Sequence, residues 1–97
     1  MAKFGLLVRL EAKPGKQEEL AEFLKSALPL ALQEIFTIHW FAFQTGPDTF
    51  GIFDTFDTEE DRSSHLKGPI AEALLAHAPE LLASGPVIEP ADLLASK

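Results

Sequence analysis

The feature that most constrains the fold is a pair of aromatic-rich runs, residues 36–44 and 50–56, separated by a Thr-Gly-Pro-Asp segment. Apolar runs of this length predict strands, and the turn-forming residues between them predict a β-hairpin. Successive side chains of a strand point to opposite faces, so Trp40 lies on one face and Phe41 and Phe43 on the other. Both faces of the hairpin are therefore expected to be apolar.

The flanking segments alternate between strand and helix patterns. They are a strand at residues 4–11, an amphipathic helix from 17 to about 31, a helix from 58 to about 83, and a strand at 87–94. Pro29 predicts a kink near residue 28 or a fresh turn over residues 30–34, and Gly68 with Pro69 interrupts the second helix. Pro90 confines the last strand to an edge. The order β-α-β-β-α-β predicts a ferredoxin-like α+β fold, with a four-stranded antiparallel sheet and two helices on one face.

The sheet face away from the helices would be polar in a monomer of this fold. Here it carries Phe41, Phe43 and Phe53. Leaving several hundred Å² of apolar surface in water costs several kcal/mol at ~25 cal/mol per Å², comparable with the whole stability of a small domain. The sequence therefore predicts a homodimer that forms through this sheet face.

Composition limits the other partners. The 97 residues are expected to form one domain, residues 1–97, and the absence of cysteine excludes a disulfide framework. With 15 acidic against 8 basic residues, nucleic acid is a poor partner. No membrane-length apolar run and no leader peptide is evident, which predicts a cytoplasmic protein. The three histidines lack ligand spacing, so no metal is expected.

Four segments resemble the antibiotic biosynthesis monooxygenase-like family, whose members are also described as quinol monooxygenases. They are Ala-Lys-Pro-Gly-Lys at 12–16, Phe-Gly-Ile-Phe-Asp-Thr-Phe at 50–56, Arg-Ser-Ser-His-Leu at 62–66 and Pro-Val-Ile-Glu-Pro at 86–90. The resemblance implies a dimeric α+β barrel with a pocket between sheet and helices, and oxygenation of electron-rich aromatics without metal or flavin. Two departures stand out. Many relatives have Glu-Pro-Gly where Glu34-Ile35-Phe36 stands, and commonly Glu where Asp54 stands.

Asp54 and His65 are the candidate catalytic residues. Asp54 shares a strand face with Ile52 and Phe56, so its carboxylate is embedded in an apolar row. The lengths of the strand end and of the returning helix allow Asp54 and His65 to meet. In one interpretation Asp54 orients His65, which acts as general acid or base. In the other, the pair only ties the helix to the sheet.

The candidate substrate-binding residues are Trp40, Phe56 and His39. Trp40 could stack on a flat aromatic ligand. Because His39 and Trp40 occupy opposite faces of their strand, they cannot form a joint site. His77 falls in the apolar stripe of the second helix and is expected to be a packed core residue.

These observations predict a cofactor-independent monooxygenase acting on an aromatic quinol or polyketide-like substrate, with His65 as a proton relay oriented by Asp54. The alternative is a non-catalytic dimer that binds a small molecule or serves in stress, or one whose cavity is filled by its own phenylalanines. Haem degradation is a minor alternative, because Phe56 stands where such relatives have Trp. An enzyme needs room near Asp54 and His65, whereas a scaffold packs them shut.

Overall fold

The computed structural model describes residues 2–97. Within this range, four strands and four helices follow one another in the order β-α-α-β-β-α-α-β. The strands are β1 (Phe4–Glu11), β2 (Thr37–Gln44), β3 (Thr49–Phe56) and β4 (Val87–Asp92). The helices are α1 (Gln17–Ser26), α2 (Leu28–Gln33), α3 (Glu59–Leu66) and α4 (Pro69–Leu81).

The strands form one antiparallel sheet in the order β2-β3-β1-β4. This arrangement confirms the predicted ferredoxin-like α+β fold. β4 lies at one edge, as Pro90 requires, and pairs only with β1. β2 forms the other edge, and its pairing with β3 shifts register between Thr37 and His39. The sequence did not predict this irregularity, because a register shift depends on the pairing partner.

The core lies between the helices and one face of the sheet. Alternate residues of β1 and β3 point toward the helices. Leu6, Val8 and Leu10 of β1 are buried there, whereas β3 lies inside the sheet and is buried on both faces over most of its length. The buried apolar side chains that join the two layers are Val8, Leu10, Leu20, Leu24, Phe50, Ile52, Leu74 and Leu81. Trp40 of β2 packs against this cluster and against a smaller one formed by Ala27, Ala31 and Ile70.

Each of the two helical segments predicted from the sequence consists of two shorter helices, and each break lies where the sequence predicts one. α2 starts afresh at Leu28 with Pro29 in its first turn, where a missing N–H costs nothing. Gly68 caps the start of α4 and Pro69 opens it. Thr58 caps α3 by accepting a hydrogen bond from the backbone N–H of Asp61, as predicted. Within residues 2–97, no helix combines the length and the apolar character that a membrane crossing requires.

The sheet face away from the helices, called here the outer face, is apolar and partly exposed. Phe41 is 55% exposed and Val87 51%. Phe43 and Phe53 lie flat on the sheet because the residues beneath their rings are Gly51 and Gly5; a Cβ at Gly51 would come within 2.4 Å of the Phe43 ring. This arrangement matches the predicted aromatic outer face of the hairpin.

Candidate functional site

A histidine lies between two carboxylates at the junction of three elements. His65, near the end of α3, has its Nε2 atom 2.9 Å from Asp54 Oδ2 on β3. Its Nδ1 atom is 2.6 Å from Oε1 of Glu34, which follows α2 directly. Phe56 packs against the imidazole, with 5.2 Å between the ring centroids. These three polar residues, Glu34, His65 and Asp54, are called the acid–histidine cluster below.

The acid–histidine cluster is buried. Asp54 is 0% exposed, His65 5% and Glu34 9%. Burial acts to lower the pKa of His65, but contacts with the Asp54 and Glu34 carboxylates outweigh burial and raise that pKa above its ordinary value of 6.5. With both carboxylates charged and the imidazole protonated, the cluster carries one net negative charge.

Several polar atoms of this region lack a hydrogen-bond partner within residues 2–97. Glu34 Oε1 accepts a hydrogen bond from the Thr37 hydroxyl at 2.8 Å, but Oε2 has no partner. The indole Nε1 of Trp40 and Oδ1 of Asp54 are also unpaired, and the Asp54 Oδ2 contact with His65 is an ion pair rather than an aligned hydrogen bond. Buried polar groups normally have hydrogen-bond partners, so a group of neighbouring unpaired polar atoms is typical of a site for a ligand or water.

A cavity of about 250 Å³ lies between α2 and β2, next to the cluster. Glu34 and Trp40 both line it. The remaining lining residues are Leu28, Ala31, Leu32, Ile35, Thr37 and Ile38. Larger hollows exist, such as one of about 380 Å³ on the outer face, but none of the unpaired buried groups lines it. The cavity between α2 and β2, called here the α2–β2 cavity, is therefore the candidate binding site.

The structure brings some of the predicted site residues together and separates others. Asp54 and His65 meet, as the chain geometry allowed. Trp40 lines the α2–β2 cavity. Phe56 is 0% exposed in the core, and His39 lies on the opposite face, where its Nδ1 atom is 3.0 Å from Thr55 Oγ1. The structure therefore does not bring Phe56 or His39 to this cavity.

Two sequence-based interpretations need correction. Glu34 was considered only as a departure from the family motif, although it is the second carboxylate partner of His65. The available signal was an acidic residue placed among apolar neighbours, next to Ile35 and Phe36. The prediction that His77 is a packed core residue is wrong. It is exposed on α4, where Nδ1 donates to the carbonyl of Ala73 at 2.9 Å and the ring packs on Phe23.

The geometry of the acid–histidine cluster is unsuited to holding a metal ion. The two nitrogens of His65 point to opposite sides of the ring, so Asp54 and Glu34 flank the imidazole and do not converge on one point. Across residues 2–97, no group of three His, Asp or Glu side chains is placed to hold a metal. The cluster is instead suited to holding and exchanging protons.

The solved structures that are similar to this chain include one of high sequence identity. The NE2512 protein of unknown function from Nitrosomonas europaea is 57% identical, with a TM-score of 0.98, and the match covers 100% of this chain and 94% of that one. At this identity the two chains share more than a fold. No protein-family model matches the chain. A search of curated proteins finds no match either.

More distant structures share the fold alone. One named a putative antibiotic biosynthesis monooxygenase, also from Nitrosomonas europaea, has a TM-score of 0.84 at 15% identity, covering 95% of this chain and 99% of that one. Another with that name, from Caulobacter crescentus, has a TM-score of 0.80 at 18% identity, covering 97% and 92%. The chain therefore has the fold of the antibiotic biosynthesis monooxygenase-like proteins.

Proposed function

This chain belongs to the same family as the Nitrosomonas europaea NE2512 protein, and we propose that it is a homodimeric monooxygenase that oxidises an electron-rich aromatic molecule of the quinol or anthrone-type polyketide class. The names of two structures with this fold suggest the reaction class. The observation that carries the proposal is the acid–histidine cluster beside an apolar cavity that contains Trp40.

The main contribution that this reaction requires from the protein is a base that removes a proton from the substrate. When a base removes a proton from the activated CH₂ group of an anthrone, the carbanion can itself reduce O₂. One oxygen atom then becomes the new carbonyl and the other leaves as water, so the substrate supplies all the electrons. The protein has to deprotonate the substrate, orient it and exclude bulk water. The acid–histidine cluster supplies the proton-accepting groups.

His65 acts in this proposal as a proton relay that Asp54 orients. Both of its ring nitrogens are engaged with carboxylates, so the imidazole does not face the substrate. A proton from the substrate therefore reaches His65 through one of its two carboxylate partners. His65 accepts it only in its neutral form, which becomes populated as the pH rises through its raised pKa. The protonated imidazole then offsets the charge of those carboxylates in a site with little access to water.

The homodimer belongs to the same proposal. Phe41, Phe43 and Val87 expose apolar surface on the outer face, which the protein's own helices do not cover. A second copy that packs its outer face against this one would bury these side chains. Such pairing leaves the α2–β2 cavity on the helix side of the sheet.

A non-catalytic binding protein is the second candidate function. It is favoured by one observation, namely that Asp54 and His65 are sealed from solvent. In this interpretation the ion pairs fasten α3 to the sheet, and the cavity binds a small molecule without changing it.

Oxygen consumption with anthrone or menadiol as substrate distinguishes the two functions. The unchanged protein is expected to accelerate oxygen uptake over the buffer rate, and His65→Gln is expected to lose roughly 100-fold of that acceleration, a typical contribution of acid–base catalysis. His77→Gln is the matched control, because His77 is exposed outside the site. Equal rates for the protein and His65→Gln would remove His65 from the mechanism. No acceleration with either substrate would favour the binding function.

A further inference from the structure

Glu34 differs from the other members of the acid–histidine cluster in one respect. Asp54 and His65 do not line the α2–β2 cavity, whereas Glu34 does. Its Oε1 atom is occupied by His65 and Thr37, but its Oε2 atom is buried and has no partner within residues 2–97. Unpaired acceptors of the cluster lie on Asp54 and on Glu34, and of these two residues Glu34 belongs to the cavity wall.

The neighbour of the buried Oε2 atom is a glycine, Gly68. A Cβ atom added at Gly68 would lie 3.1 Å from Oε2, closer than most real contacts of a Cβ atom allow. Gly68 adopts an extended conformation that other residues also accept, with φ −89° and ψ −178°. The chain therefore has no side chain at the point where one would press on the Glu34 carboxylate.

Besides Glu34, the cavity lining is apolar except for the Thr37 hydroxyl, which donates to Glu34 Oε1, and the indole N–H of Trp40. The indole N–H of Trp40 is buried and unpaired, so it can serve an acceptor atom. A charged carboxylate can accept hydrogen bonds but cannot donate them, so the partner of Oε2 has to be a donor. A hydroxyl group meets both requirements, because its oxygen donates one hydrogen bond and accepts others.

We propose that Glu34 is the side chain through which the acid–histidine cluster contacts its ligand, and that the α2–β2 cavity binds a compact apolar molecule bearing a phenol-type hydroxyl. His65 and Asp54 then act as positioning residues that hold Glu34 in place. The inference rests on the proposed function only for the location of the ligand, and it concerns binding rather than oxidation.

The charge of Glu34 supports this ligand class. A charged Glu34 carboxylate in the cavity wall disfavours carboxylates and phosphates, because like charges repel each other. A neutral hydroxyl that donates to a charged acceptor forms a stronger hydrogen bond than one between two neutral groups. A molecule of the size of a substituted phenol suits a cavity of about 250 Å³.

The fluorescence of Trp40 can report ligand binding, because Trp40 is the only tryptophan in the chain and lines the cavity. The probes are 4-tert-butylphenol and 4-tert-butylanisole, which differ by the methyl group that removes the donor. Titration followed by tryptophan fluorescence is expected to show the phenol binding roughly tenfold more tightly than the anisole. Equal affinities, or no binding of the phenol, would overturn the proposal.

Three variants locate the interaction. Glu34→Gln is expected to abolish most of the preference for the phenol over the anisole, and an unchanged preference would overturn the proposal. If that variant fails to fold, Leu32→Ala replaces it. Leu32 lines the cavity and is 76% exposed, so its truncation should weaken binding of both probes and spare the fold. Leu75→Ala, on exposed α4 surface outside the cavity, is the matched control.

The outcome separates this inference from the proposed function. Phenol binding that depends on Glu34 without any oxygen uptake would uphold the inference and contradict the monooxygenase. Oxygen uptake that persists in a folded Glu34→Gln protein with an unchanged phenol preference would uphold the monooxygenase and contradict the inference.

Discussion

At the scale of single residues, the protein places a cation between two buried carboxylates. His65 contacts Glu34 on one side and Asp54 on the other, at 2.6 Å and 2.9 Å. Removing the histidine would leave two carboxylates close together without a counter-charge. Removing one carboxylate would leave a balanced pair. The two kinds of substitution should therefore differ in their effect on stability.

His65→Gln is expected to lower the free energy of unfolding by about 3 kcal/mol or more, the usual cost of an uncompensated buried charge. Asp54→Asn is expected to cost less than half as much, since Glu34 and His65 still balance each other. Urea unfolding at pH 6 measures both values, with Asp92→Asn as a control on an exposed carboxylate. A larger loss for Asp54→Asn than for His65→Gln would contradict this description of the cluster.

The stability due to His65 should depend on pH in one direction. Because the pKa of His65 is raised in the folded protein, protonation stabilises the fold fully below about pH 6.5, and this contribution disappears as the pH rises through the higher folded-state pKa. The difference in unfolding free energy between the protein and His65→Gln should therefore shrink from pH 6 to pH 9. A difference that stays constant or grows over this range would show that the pKa is not raised.

The sequence predicts part of this cluster. The contact between Asp54 and His65 follows from strand and helix lengths, because both residues lie on regular elements whose rise per residue is known. Glu34 escapes such reasoning because it follows α2 in a connection without periodicity. The prediction that His77 is buried was wrong, because a residue that follows the apolar repeat of a helix can still face water.

At the scale of elements, the cluster depends on where α3 begins and how it is anchored. Thr58 accepts a hydrogen bond from the Asp61 N–H and so fixes the first turn of α3. Arg62 donates to the carbonyls of Gly5 and Ala91 and attaches the same helix to β1 and β4. Together these contacts set the position from which His65 reaches the sheet.

Thr58→Ala is expected to lower the free energy of unfolding by about 1 kcal/mol, because one N–H at the start of α3 loses its acceptor. Ser63→Ala, at an exposed position of the same helix, is the control and should change stability by less than about 0.5 kcal/mol. Chemical denaturation gives both values. Equal effects of the two substitutions would show that the Thr58 cap contributes nothing.

Helix and strand positions are predictable here because proline and glycine mark most boundaries. Pro29, Gly68 and Pro69 give the helix breaks, and each strand starts within one residue of its predicted start. The ends are less well determined. α4 ends at Leu81 instead of near residue 83, and β4 ends at Asp92 instead of residue 94. End positions depend on tertiary hydrogen bonds that no local pattern contains.

At the scale of the whole molecule, the two faces of the sheet have different roles in this account. The helix-facing side carries Asp54 and Trp40 and adjoins the α2–β2 cavity. The outer face carries exposed phenylalanines on a flat surface, with an ion pair of 2.7 Å between Arg9 and Glu89 among them. An aromatic surface of this kind is costly to leave in water. A second copy of the chain is therefore expected to cover it.

Sedimentation equilibrium at low micromolar concentration tests this requirement most directly. The unchanged protein is expected to have twice the 10.6 kDa mass of one chain. Phe41→Asp should sediment as a folded monomer, because Phe41 is largely exposed within one chain and a charge there opposes burial against a partner. A mass of 10.6 kDa for the unchanged protein would contradict the account.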